Sequence, residues 1–408
     1  VTALCAVIPN VSEGSIFRAK RGHPMRERGI FLLRDPMQSF RTRGDSMRPS
    51  SALYLVLLVL SGPIIIPPVN AAQPQGSPAL SAMIQEANKE GKLKLSWGEG
   101  TLGGTKRMAL YEQLMNKMFF SNVKIGFTPG PSMPAMGSQI ATELAAGQPA
   151  ASDVYIGAES YLVPLVKRKV FLEVEWPKLM PGRITAPMVE GDGQSLRVFS
   201  GLPGTPYNKN RVPKIETPKT LKDFLKPFWK GKIASTPYVT GLNLLAAKEL
   251  WGKEAALDYV KQFSKQVSDL IRCNEMDRVV TGEFLALVMD CNGARTFELQ
   301  AQSAPLEHVI PSDGAMIRHF YLNIPKNAEH PNAAKLFTSF LLTKEAQKLL
   351  WESDFSDLYM FPESQLGQKV RHLEKQGVKF FVPTLEWVAN NPDIEKISEE
   401  MVKIVTQK

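Results

Sequence analysis

Between Ser81 and Lys167 one pattern recurs: a short apolar strand, a turn rich in glycine or proline, then an amphipathic helix. Helices are expected at Ser81–Glu90, Lys106–Phe119, Met136–Ala146 and Tyr161–Lys167. Strands are expected at Lys92–Trp97, Val123–Phe127 and Asp153–Ile156. A connection long enough to hold a helix brings the next strand back in the same direction, so the pattern predicts an α/β fold built on parallel βαβ units. With 408 residues the chain is long enough for two domains, each with its own core. Its 44% hydrophobic and 22% charged content places it among globular proteins.

The net charge of +9 is unevenly spread. Residues 1–71 hold nine Lys/Arg against four Asp/Glu, a net of +5, which leaves +4 for the rest. No basic stripe or RNA-type aromatic motif stands out in that remainder, so a nucleic-acid partner is not expected. After Met47-Arg48-Pro49 comes the apolar run Ala52–Leu60, then Ile64–Ile66, then Val69-Asn70-Ala71. A positive start, a short apolar core and small closing residues read as a secretory signal peptide over 47–71, cleaved near Ala71. The stretch from Ala52 to Ile66, with Gly62 and Pro63 inside it, is short for a span of about 20 residues. Residues 1–46 are Arg-rich and aperiodic, and are read as a non-native or disordered extension with Met47 as the true start. Export to the periplasm follows.

The second half is organised around Tyr207 to Gly241, YNKNRVPKIETPKTLKDFLKPFWKGKIASTPYVTG. Leu221, Phe224 and Leu225 share one helical face, Lys232–Ser235 is the following strand, and Gly241 turns into a helix expected over Leu242–Leu250. Further on come a helix at Glu254–Lys265, a strand ending near Arg272, a helix at Glu275–Thr281 and a strand at Phe284–Asp290. Asn327 or Pro331 opens a helix with the apolar stripe Ala334, Phe337 and Leu341, and Thr343 caps the next.

These segments resemble the extracellular solute-binding proteins of bacterial ABC importers, the ferric-iron-binding-like branch in particular. The resembling stretches are the Tyr207-Asn208 and Pro227–Ile233 segments, Gly282-Glu283-Phe284, Pro311–Gly314 and Ile324–Leu342, in that order, across about residues 80–355. Leu221 stands where the family usually has Trp. The resemblance implies a type II periplasmic binding fold with two α/β lobes, each a mostly parallel sheet flanked by helices, and two crossovers between them. Lobe 1 would comprise 72–200 and 310–408, and lobe 2 would comprise 201–309, with the C-terminal helix Asp393–Val405 on the outside of lobe 1. It also implies a monomer that binds a solute, delivers it to ABC permease subunits, and neither catalyses nor needs a cofactor. The iron-binding branch uses two adjacent tyrosines; no Tyr-Tyr occurs here, and Tyr207, Tyr238 and Tyr321 are scattered.

Gly98, Gly100 and Gly103 satisfy G-x-G-x-x-G between a strand and a helix, the setting of a dinucleotide site. An enzyme using that loop is therefore an alternative, and an exported ligand-sensing module is another. Against the dinucleotide, Phe127 is followed by Thr128-Pro129-Gly130 with no acid for a ribose, and the Glu99 carboxylate would face a pyrophosphate, which is unfavourable. No Walker loop, nucleophile elbow, HExxH or paired CxxC is present. Glu283 is a conceivable base or a solvated carboxylate, and His308 and His319 either line a cleft or serve as ordinary structural histidines. Glycine loops and helix N-termini suit a small anion or a metal chelate. The candidate contacts are Gly100, Thr101, Gly103, Gly104, Ser132, Ala158 and Glu159 from one lobe and Thr240, Gly241 and Arg272 from the other; no residues are assigned to a metal. Cys273 and Cys291 either form a disulfide worth about 3 kcal/mol or are two small buried side chains.

Overall fold

The computed structural model describes residues 77–407. The readings of residues 1–46 and of the signal at 47–71, with Cys5 and His23, lie outside the described residues. Ser77 Oγ accepts from Leu80 N (3.1 Å) and opens α1 (Pro78–Glu90), which closes on Gly91 in the left-handed region, where glycine is least strained. There follow β1 (Lys92–Trp97), α2 (Gly104–Phe119), β2 (Lys124–Pro129), α3 (Met133–Ala145), β3 (Tyr155–Ala158), α4 (Glu159–Lys167), α5 (Trp176–Leu179), β4 (Val189–Glu190) and β5 (Ser195–Gly201). The chain then leaves this lobe for β6 (Thr205–Asn208), β7 (Ile233–Ser235), α6 (Lys253–Ser264), β8 (Val267–Leu270), α7 (Asp277–Val280), β9 (Ala286–Leu287), α8 (Ala294–Ala301) and β10 (Leu306–Val309). It returns through β11 (Arg318–Asn323) to α9 (Pro331–Leu341), α10 (Lys344–Asp354), α11 (Gln365–Lys375), α12 (Leu385–Asn390) and α13 (Asp393–Thr406).

In the first lobe β1 and β2 pair in parallel, and a bridge from Leu95 to Val154 brings β3 alongside. The remaining strands run β3-β11-β5-β4, all antiparallel. The second lobe has strand order β10-β6-β9-β7-β8, parallel across β9-β7-β8 and antiparallel across β10-β6-β9. The sheets are therefore mixed. Helix-linked strands are parallel, while strands that enter from the other lobe run against their neighbours.

The first core gathers Trp97, Tyr111, Phe337 and Phe340, with ring centroids 6.2–6.5 Å apart. Buried Asp153 accepts from Lys94 N, Glu329 N and His330 N and lies 2.9 Å from His330 Nδ1, so that histidine fastens α9 to β1. Trp229 and Phe224 of the organising segment are buried in the second core. The segment's helix is a 3-10 turn at Leu221–Leu225, capped by Thr220 and Asp223. The helix expected at Leu242–Leu250 is likewise only a 3-10 turn, Leu242–Ala246. The strand expected at Phe284–Asp290 shortens to β9, because Met289 takes positive φ and ends it.

The C-terminal helix corrects its expected place. Ile394, Ile397, Met401 and Val405 bury one face of α13 in the second core, beside α6, and not on the first lobe. Replacing fully buried Met401 with Ala is expected to destabilise the protein by roughly 2–5 kcal/mol. Lys403→Ala on the exposed face should cost under about 0.5 kcal/mol, both read from urea midpoints at unchanged slope.

Candidate functional site

The loop after β1 faces the loops after β8 and β9 across a cavity of about 510 Å3. Glu99, Gly100, Gly103 and Lys106 line it from the first lobe, Cys273, Asn274, Asn292, Ala294, Arg295 and Glu298 from the second, and Ser353-Asp354-Phe355 close it at the end of α10. Both walls use left-handed backbone. Leu102 (φ 53°) and Gly103 (φ 71°) shape the first wall, and Gly293 (φ 82°) starts α8 in the second. Val239 (φ 45°) and Met289 (φ 59°) stand beside the disulfide-linked loops. A non-glycine residue in this region costs about 1–2 kcal/mol, and such strain gathers where backbone must be aimed.

Glu99 decides what the glycine loop does. Its carboxylate accepts from Thr105 N (3.0 Å) and Thr105 Oγ1 (2.9 Å), capping α2. A Cβ on Gly104 would lie 2.0 Å from Glu99 O, so that glycine serves close packing. Thr101 is a turn residue: its N donates to Gly98 O, and its O accepts from Trp97 Nε1. The helix end that would hold a pyrophosphate already holds a carboxylate, which corrects the expectation of an anion at that terminus.

The other candidates divide. Ala158 pairs with Phe320 inside the first sheet, and buried Glu159 accepts from His319 N (2.8 Å) and Arg318 Nη2 (3.3 Å). Glu159 is thus a structural acid. Ser132 is exposed at the start of α3, away from the cavity lining. Thr240 is buried, with its N on Thr236 Oγ1 (3.1 Å). Gly241 lies where a Cβ would sit 2.9 Å from Met316 Sδ. Arg272 N donates to Glu275 Oε2, and the cavity's arginine is instead Arg295. Arg295 follows a left-handed glycine at a helix start, the same signal that singled out Gly103. The His308 side chain is 5% exposed and lies 3.4 Å from Asp290, and His319 is buried beside Ser200 Oγ, its pKa lowered by that burial. Glu283 is paired with Arg278.

Cys273 and Cys291 are joined, with their Cα atoms 6.0 Å apart, so the bridge links the loop after β8 to the loop after β9. Tyr238 Oη takes the N–H of Cys273 (3.3 Å) and lies within 3.5 Å of both sulfurs, while the residue as a whole is 45% exposed. Among the described residues, no group of three or more His, Cys, Asp or Glu is placed to hold a metal ion. No helix among them is long and apolar enough to cross a membrane.

Residues 151–391 match the family model described as bacterial extracellular solute-binding protein. The chain belongs to this family. Its members are binding proteins rather than enzymes. An uncharacterized protein of Haemophilus influenzae is 28% identical over 166 residues, 38% of this chain and 47% of that one. The Fe(3+)-binding periplasmic protein of Serratia marcescens is 23% identical over 225 residues, 53% of this chain and 65% of that one. The matches thus span less than two thirds of these relatives. Iron-bound HitA from Pseudomonas aeruginosa superposes with a TM-score of 0.58 at 18% identity, covering 76% of this chain and 99% of that one. AfuA from Actinobacillus pleuropneumoniae, bound to exogenous fructose-6-phosphate, gives 0.59 at 19% identity, covering 78% and 99%. The fold is the type II periplasmic binding fold.

Asp354 gives the cavity a titrating group. Burial pushes its carboxyl up to about 7; the Leu102 amide opposes the rise and Glu298 adds to it. The folded chain therefore holds this proton more tightly than the unfolded chain does. Stability from this residue is fully present below about pH 4, falls as pH rises towards 7, and is flat above that. Asp354→Asn is expected to remove that slope. The variant should be more stable than the parent at pH 8, with the gap closing by pH 4 in paired thermal melts.

Proposed function

We propose that this chain is the solute-capturing component of an ABC importer, working in the periplasm as a monomer and handing its solute to the permease. The observation that carries the reading is the cavity between the lobes, walled on both sides by left-handed loops, in a chain of this family. Hinged lobes of this kind trap a ligand by closing on it.

The solute is a small anion. Lys106 and Arg295 face the cavity from opposite lobes, so an anionic group between them would draw the lobes together. Arg295 is held by Glu298 (2.7 Å) and Asp277 (3.4 Å), while Lys106 is a cation without an ion pair among the described residues. Asp354, protonated or not, offers a partner to a hydroxyl on the same solute. A ferric chelate of such an anion is the second reading, supported by the named cargo of the Serratia and Pseudomonas relatives. Iron would then arrive already held by its chelator, in keeping with the lack of adjacent tyrosines.

The test is thermal shift against inorganic phosphate, sugar phosphates, carboxylates, ferric citrate and NAD. A solute at 100 times its Kd stabilises by about 2.7 kcal/mol. One anion or its ferric chelate should shift the melt, and Lys106→Ala or Arg295→Ala should each weaken that binding roughly 10- to 100-fold. A shift with NAD alone, or one indifferent to both substitutions, would contradict the reading.

A further inference from the structure

We propose that residues 380–406 form a third connection between the lobes, a strap that limits how far the cleft opens. Three sets of contacts define it. Phe381 N donates to Ala315 O and Ile317 N donates to Phe381 O, both at 2.9 Å, so the strap begins as an added strand beside the returning crossover. At α12, Leu385 enters the first core, and its N donates to Glu190 Oε2 (2.6 Å). Glu190 is itself held by Arg197 Nε (2.8 Å) and Tyr321 Oη (2.7 Å), which makes the anchor rigid. Two residues further on, Trp387 turns to the second lobe, where Nε1 donates to Glu249 Oε1 (3.2 Å) and its ring meets Phe381. Then α13 buries four side chains in the second core.

Only Asn391 and Pro392 separate α12 from α13. Two residues reach about 7 Å when fully extended. Rotation of the lobes about the two main crossovers therefore tightens the strap, and wider opening has to pull Leu385 or the α13 stripe out of a core. Beneath the strap, Tyr161 of the first lobe, Asn243 of the second and Val388, Pro392 and Ile394 of the strap itself border an open space of about 660 Å3. A strap that spans a gap permits approach and resists separation. The inference rests on the reading that the lobes close over a solute, so its test measures lobe separation with no solute present.

Nitroxide labels on Lys117→Cys of α2 and Lys261→Cys of α6, in a chain also carrying Cys5→Ser, report the distance between lobes by pulsed electron resonance. Eight Gly/Ser residues inserted between Asn391 and Pro392, together with Trp387→Ala, lengthen the strap while leaving both anchors in place. The same insertion between Gln376 and Gly377, ahead of the strap, is the control. The lengthened strap is expected to shift the distance distribution outward by about 5 Å, one helical turn, and to broaden it; the control should match the parent. Trp387→Ala alone should give a smaller shift in the same direction, a readout that stands even if the insertion disturbs folding. An unchanged distribution in both strap variants, or an equal shift in the control, would overturn the proposal.

Discussion

Carboxylates that accept backbone N–H groups fasten this chain wherever it passes between its lobes. Asp290 takes Gly204 N at the first crossover and Gly293 N at the start of α8. Glu159 takes His319 N, and Asp313 takes Leu221 N, on either side of the second. Glu190 takes Leu385 N at the strap. Hydrogen bonds to a charged acceptor are worth about 1.5–3 kcal/mol each, more than neutral ones. Fixed ends leave the bending to the short segments between them.

The glycine loop shows how one pattern can serve two chemistries. G-x-G-x-x-G between a strand and a helix brings backbone close to whatever occupies the helix end. Here the occupant is the chain's own Glu99 carboxylate, bonded to Thr105. The loop's surface, Glu99 together with Gly100 and Gly103, still opens into the cavity, where the cations are the side chains of Lys106 and Arg295. On the proposed reading, charge for a solute comes from Lys106 and Arg295, whose long arms could follow a closing lobe in a way a helix end cannot.

Much of the fold was legible in the sequence. The runs at Lys92–Trp97 and Pro331–Leu341 carry strict periodicity and appear as β1 and α9. The family resemblance rested on segments that become buried elements, among them Trp229 and Phe337. Less could be read where several partners compete for one segment. The stripe Ile394, Ile397, Met401 and Val405 announces a helix but carries no address, and either core would bury it. Of the expected contacts, Gly100 and Gly103 line the cavity, and the disulfide reading of Cys273 and Cys291 is the one the structure has, because loop glycines and cysteines mark themselves. Glu159 and Thr240 are polar residues beside turns, and only tertiary structure shows that their polar atoms are already bonded. Arg295 stands on α8, a helix outside the sequence expectations, and its place at the cavity shows only in the structure.

The central claim is that the cavity between the lobes captures a small anion. Mass spectrometry of the intact, folded chain after exposure to a periplasmic extract tests it most directly. The account predicts a single small adduct at one per chain, present in the parent and absent when Lys106 and Arg295 are both replaced by Ala. An adduct of equal abundance in both chains, or none in either, would contradict it.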